Sequence, residues 1–270
     1  MKGLLMKKVL KRMLIGTGLL RPALLLARNT FDTSKLQEHL SRIRFFQKFV
    51  RSGDLCFDIG CNVGHLSEAL LDVGARIIGV DPQADCIREA RARVGRNKGI
   101  EFVCTAVGEN EGTAQLFVAE SSVVSSLKAE WYGEHKSTIN VPVTTLDSLI
   151  KQFGTPHYVK IDVEGFELEV INGLSQKVNC VSFEYHTGHK LESIDNTIDC
   201  LNRIRMLQAG SVVNVNLNNQ PVYCFPSWME LDSFIDVFKK ELWTQPRSFG
   251  DIVVLSADFA KTLGDQLPTL

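Results

Sequence analysis

No Cys-x-x-Cys pair, no Gly-Lys-Ser/Thr phosphate loop and no Asn-x-Ser/Thr sequon occurs in the 270 residues. The seven cysteines, at 56, 61, 86, 104, 180, 200 and 224, are scattered and odd in number. That excludes a zinc ribbon and a disulfide framework, and it points to a reducing compartment. Several lie in apolar runs, where cysteine packs as a small hydrophobe. An overall excess of charge is also missing. The net charge is −1, so the molecule is no general polyanion binder and nucleic acid is not an expected partner. Long hydrophobic runs are lacking too. The uncharged core near the start, Met13 to Leu20, is eight residues and ends at Arg21-Pro22, far short of the ~20 residues that span a bilayer.

Acid is absent from residues 1–28, which carry Lys2, Lys7, Lys8, Lys11, Arg12, Arg21 and Arg28 among many leucines. That local +7 leaves −8 for the remainder. We expect a basic amphipathic arm over 1–30 and a single domain over 31–270. Such an arm suits a helix lying on an anionic membrane surface. Packing on protein, or a cleaved signal, are the alternatives. The expected location is cytoplasmic, with peripheral contact at the inner face of a membrane.

After residue 30, strand and helix patterns alternate. "DLCFDIG" (54–60), "RIIGVD" (76–81), "IEFVCTAV" (100–107), "HYVKID" (157–162), "NCVSFEYH" (179–186), "SVVNVNLN" (211–218) and "GDIVVLS" (250–256) read as strands. "HLSEALLDVG" (65–74), "ADCIREARARV" (84–94), "TTLDSLIKQF" (144–153), "FELEVINGL" (166–174), "LESIDNTIDCLNRIRMLQAG" (191–210) and "WMELDSFIDVFKKEL" (228–242) read as helices. "GTAQLFVA" (112–119) alternates like an added antiparallel strand, and "INVPV" (139–143) is placed to pair near it. This order implies a mostly parallel sheet covered by helices on both faces. Ligands of such sheets bind outside the carboxyl ends of the strands.

The first such end, "FDIGCNVGHL", fails the dinucleotide fingerprint, because its second and third glycine positions hold Asn62 and His65. Asp58 beside the turn would repel a pyrophosphate and welcome a cation. S-adenosylmethionine carries a sulfonium and an ammonium. Gly60 and Gly64 would let the backbone approach it, with Asp58 facing its methionine part. Asp81 ends the next strand, where a carboxylate accepts from both ribose hydroxyls. Gln83 is placed for the adenosine region or for a solvated turn. Thr105-Ala106-Val107 is small enough to wall an adenine. The fourth end, "VKIDVEGFELEV" (159–170), holds Asp162, Glu164, Glu167 and Glu169. Asp162 and Glu164 are the site candidates. Glu167 and Glu169 are expected on the helix surface.

These pieces, in order, resemble the FkbM-type S-adenosylmethionine-dependent methyltransferases, a branch of the Rossmann-like class I methyltransferases. The resemblance rests on "FDIGCNVGH" (57–65), "VDP" (80–82), Ser-Ser-Leu in "VVSSL" (123–127), "VPVTTLDSL" (141–149), "VKIDVEGFELEVINGL" (159–174) and "SFEYH" (182–186). It implies an α/β fold with a seven-stranded sheet whose last strand is antiparallel. It implies cofactor contacts near Asp58, Gly60, Asn62, Gly64 and Asp81, with Ser125 and Ser126 near the adenosine and Asp162 near the methyl group. Cys61 stands where the family more often has alanine. The resemblance also implies O-methylation of a sugar, glycan or related natural product.

Methyl transfer to an alcohol is helped by a base, and the candidates are Asp162, Glu164 and His186. A structural histidine is the other reading of His186, and holding the turn through backbone N–H groups is the other reading of Glu164. Asp162, Glu164, Glu184, His186 and His189 carry metal-ligating atoms, but spacing alone defines no site, so a divalent metal is not favoured. Trp131, Tyr132 and Tyr223 are candidates to stack on a sugar, or to pack in the core. A non-catalytic cofactor-binding adapter and a nicotinamide-dependent oxidoreductase are the competing function classes. Oligomeric state is not legible.

Overall fold

The computed structural model describes residues 33–119, 125–129, 135–187, 194–217, 222–242, 244 and 249–264. The basic arm, Trp131, Tyr132 and His189 lie outside them. The elements are α1 (Thr33–Phe46), β1 (Leu55–Ile59), α2 (His65–Val73), β2 (Arg76–Val80), α3 (Ala84–Val94), β3 (Ile100–Val103), β4 (Ala106–Val107), β5 (Gly112–Val118), β6 (Ser137–Thr144) and α4 (Leu146–Phe153). They continue with β7 (Tyr158–Ile161), α5 (Glu167–Asn172), β8 (Cys180–His186), α6 (Ile194–Leu207), β9 (Val212–Val215), β10 (Met229–Glu230), α7 (Leu231–Val237), β11 (Phe249–Leu255) and α8 (Ala257–Leu263). Among the described residues no helix is long and apolar enough to cross a membrane.

The main sheet runs β10-β9-β11-β8-β7-β1-β2-β3. Strands β1, β2, β3, β7 and β8 are parallel, and β11 is antiparallel to both β8 and β9. The sheet therefore has eight strands rather than the expected seven. The extra one is β10, two residues at the edge on β9, too short to leave a period-2 signal. The expected strand over 100–107 divides. Ile100–Val103 stays in the main sheet, while Ala106–Val107 joins β5 and β6 in a separate three-stranded sheet. The antiparallel pairing of β5 with β6 is as the alternation predicts, from Gly112↔Val143 to Val118↔Ser137. The expected helix over 228–242 opens as β10, continues as α7 and ends in a π-helical turn at Phe238–Leu242.

Alternation along the strands sorts the core onto two faces. Phe57, Ile59, Val159, Ile161, Phe183 and Tyr185 belong to one cluster, against α4, α6 and α7. Cys56, Ile77, Tyr158, Cys180, Val253 and Leu255 belong to the other, against α1 and α2. Tyr223 packs here at 1% exposure, with ring centroids 5.0 Å from both Phe45 and Trp228. Its role is core packing, not sugar stacking. Polar residues with the second face's parity cross the sheet at its middle: Asp58 pairs in register with Lys160, Lys160 with Ser182, and Glu184 with Asp251.

The chain goes β1, β2, β3 to one side and returns through β7 and β8 to the other. The strand order thus reverses between β1 and β7, and the crevice outside that reversal is where an open α/β sheet binds its ligand.

Candidate active site

A cavity of about 250 Å³ opens at this reversal. Its lining includes Gly60, Asn62, Asp81, Gln83, Ala106, Ser125, Ser126, Asp162, Glu164 and Glu184. Most of the residues singled out in the sequence therefore meet there. Asp58, Gly64 and His186 do not line it.

The turn after β1 is built by close approach. Gly60 and Cys61 donate backbone N–H to Val80 O at 2.9 and 3.0 Å. Gly60 has φ +79, and a Cβ on it would lie 1.7 Å from the carbonyl oxygen of Asp162. Only glycine lets the turns after β1 and β7 touch. Asn62 adopts φ 48, a left-handed conformation that asparagine tolerates better than most residues. Gly64 has a different task. A Cβ there would meet Ala90 at 3.0 Å, so Gly64 admits α3 against the start of α2 rather than a ligand. Arg93 clasps the same loop, its Nε donating to Val63 O at 2.7 Å.

Asp58 and Asp81 end adjacent strands but face different surroundings. The Asp58 carboxylate is 2% exposed and accepts from Ser67 Oγ at 2.5 Å. It fastens α2 to β1 and does not line the cavity, whereas the sequence reading set it toward the methionine part of the ligand. Burial pushes its carboxyl up to about 6, against the opposing pull of Ser67 and Lys160. Asp81 lines the cavity. Its two oxygens accept from Asn62 N at 2.9 Å and Gln83 N at 2.8 Å. A carboxylate offers about four lone-pair sites, so each oxygen keeps one for a hydroxyl. Burial pushes Asp81 up to about 6 as well.

The walls come from the small sheet and the loop after it. Thr105 Oγ donates to Pro142 O at 2.9 Å, which sets Ala106 against the cavity. Ser125 Oγ accepts from Ala119 N and donates toward Gln83 Oε1 at 3.5 Å. Ser126 Oγ donates to the Glu164 carbonyl at 2.7 Å. Cys104 is the exposed one of the seven thiols, with Sγ 3.7 Å from Pro82 O at the rim.

The acidic stretch divides differently from its sequence reading. Glu167 is 8% exposed, and its Oε1 accepts from Val163 N at 3.1 Å and Gly165 N at 3.3 Å. Glu167 therefore holds the turn, not Glu164, and it is not on the surface. Glu164 sits at φ 55 and lines the cavity. Glu169 is half-buried and pairs with Lys128 at 3.6 Å.

Beside Asp162 lies a buried ion network the sequence reading missed. Lys160 Nζ is 2.7 Å from Asp251 Oδ1 and 3.4 Å from Asp162 Oδ2. Burial pulls its ammonium down, but Asp162, Asp251 and Glu184 outweigh burial and hold it well above its usual range. The signal was a lysine inside the apolar run of "HYVKID". Burial first, then the Asp162 carboxylate, pushes Glu184 well above the usual carboxylate range. His186 Nε2 lies 3.1 Å from Glu184 Oε2, and its ring stacks on Phe249 at 6.0 Å and 22°.

The donor set suits the ligand expected from the sequence: a carboxylate with spare lone pairs for a diol, a glycine turn, small walls and acid near a cation. Comparison with known proteins agrees. The family model described as "Methyltransferase FkbM domain" matches residues 58–210. The chain is similar to the hexuronic acid methyltransferase AglP of Haloferax volcanii, 24% identical over 155 residues. That match covers 54% of this chain and 62% of the relative. It is similar to malonyl-acyl-carrier-protein O-methyltransferase of Acetivibrio thermocellus, 32% identical over 93 residues, covering 34% and 31%. Among solved structures, magnesium protoporphyrin IX methyltransferase of Synechocystis PCC 6803 superposes with TM-score 0.45 at 12% identity, covering 82% of this chain and 78% of that one. The chain thus spans less than two thirds of the length of either curated relative.

Proposed function

The chain belongs to the FkbM-domain methyltransferase family, and from that premise we propose that it methylates a hydroxyl oxygen of a sugar or glycan. Its cofactor is S-adenosylmethionine, which when bound supplies an electrophilic methyl group on sulfur. Asp81 would hold the ribose hydroxyls with its two remaining lone pairs. The backbone of Gly60 to Asn62 would hold the methionine part, and Ala106, Ser125 and Gln83 would hold the adenine. Asp162, at the turn that touches Gly60, would stand near the reacting methyl. Fixing donor and acceptor in line is the main contribution such a site can make.

The observation that carries the oxygen acceptor is the meeting of Asp162, Glu164 and Glu184 at one side of the cavity. An alcohol gives up its proton as it attacks, and a carboxylate within reach can take it. Asp162 and Glu164 are the carboxylates we assign to that task, because both line the cavity. His186 does not line the cavity and contacts Glu184 at 3.1 Å. The similarity to a hexuronic acid methyltransferase supports a saccharide acceptor.

Radiolabelled S-adenosylmethionine, with lipid-linked and free saccharides as acceptors, tests this. Label should enter a saccharide and withstand alkali, as a methyl ether does. Alkali-labile label would mean a carboxyl acceptor and a methyl ester, and would overturn the hydroxyl assignment.

A further inference from the structure

We propose that Glu164, Glu184 and His186 form a divalent-cation site at the rim of the cleft. Each offers one ligating atom, and the three atoms lie within 4.8 Å of one another. Bonds of about 2.0–2.6 Å to a hard cation bring such a set onto one ion by side-chain rotation. The backbone explains the meeting. Glu184 and His186 are i and i+2 on β8 and share a face. Glu164 stands on the turn after the neighbouring parallel strand β7, in a left-handed conformation. Phe249, paired in register with His186, covers one face of the imidazole and fixes its plane.

A separate observation is the local charge. Asp162, Glu164, Glu184 and Asp251 put four carboxylates in this corner, and the buried cation among them is Lys160. Its ammonium is spent on Asp251 at 2.7 Å and Asp162 at 3.4 Å. The Glu184 side chain is only 7% exposed. Such a carboxylate needs a proton or a cation beside it, and the His186 imidazole 3.1 Å away supplies that charge only when protonated. Two carboxylates and one imidazole suit a divalent transition ion such as Mn²⁺, which keeps open positions for water or ligand oxygen. Glu164 and Glu184 line the cleft while His186 does not, so the ion's open positions would face the acceptor. Its use in binding acceptor oxygens rests on the proposed function; the site itself does not.

Titration of the full, metal-free chain with MnCl₂, following free Mn²⁺ by electron paramagnetic resonance, tests the site. One Mn²⁺ should bind per chain, and Glu164→Gln and His186→Ala should each weaken it at least tenfold. Melting curves in chelator confirm that each variant is folded. If His186→Ala does not fold, Glu164→Gln, on a turn, carries the test alone. No binding at millimolar Mn²⁺, or undiminished binding by a folded variant, overturns the proposal. A parallel titration with S-adenosylhomocysteine separates the two readings, since loss of that binding with Mn²⁺ retained sinks the cofactor site and leaves the cation site standing.

Discussion

Asp58 and Asp81 show how one residue type at two strand ends takes on two tasks. Both are pushed to about 6 by burial, yet only Asp81 reaches the cavity. Asp81→Ala should raise the dissociation constant of S-adenosylhomocysteine roughly tenfold to a hundredfold, since hydrogen bonds to a charged group contribute about 1.5–3 kcal/mol. Calorimetric titration gives that number, and wild-type affinity would refute the ribose assignment. Asp58→Asn should act on stability instead. The folded pKa of Asp58 is raised from 3.8 to about 6, so the folded state prefers the proton. The stability this brings is full below pH ~4 and is lost as pH rises through ~6, a change of about 3 kcal/mol. Asparagine is neutral throughout, so the variant should gain about that much on wild type between pH 4 and 7 in urea melts. A difference that stays flat with pH contradicts the argument. Residue-scale reading failed at the Glu164–Glu167 exchange for a physical reason. Which carboxylate turns inward at a tight turn depends on the sign of φ, and the left-handed φ of Glu164 leaves no mark in composition or period.

At the scale of elements, the strand-to-helix units were legible because their signals are local. Gly74 ends α2 and Thr145 caps α4, its hydroxyl accepting from Ser148 N at 3.1 Å, within the spans 65–74 and 144–153 read from the sequence. The two-residue strands β4 and β10 were not legible, because their pairing is decided by distant partners. The same holds for contacts between turns. Gly60→Ala would set a Cβ against the Asp162 carbonyl and force the β1 and β7 turns apart, at a φ that L residues avoid. We expect a loss of about 3 kcal/mol or more, in the range of severe core defects, together with loss of S-adenosylhomocysteine binding. Unchanged thermal melting would show that the two turns need not touch.

For the whole molecule, the reversal of strand order between β1 and β7 gathers at one edge what the chain separates by more than a hundred residues. Alternation and the right-handed crossover rule made that edge legible. The resemblance implied that the last strand returns antiparallel, as β11 does, but nothing in the sequence showed that it sets Asp251 opposite Glu184, closing the network around Lys160. The basic arm gives the prediction at this scale. Deleting residues 1–28 removes seven positive charges, and lysine or arginine near an anionic surface contributes about 1 kcal/mol each. The truncated chain should be lost from phosphatidylserine vesicles in flotation assays while its cofactor affinity holds. Flotation that persists removes the membrane role. The rim of the cleft carries one more consequence. Cys104 is exposed while five other thiols are buried and Cys224 is half-buried, and it stands against the carbonyl of Pro82, which lines the cavity. Partial burial pushes its thiol up, so mildly alkaline maleimide labelling would mount a dye at the mouth of the site. The native protein thus offers an attachment point for such a dye without an engineered cysteine.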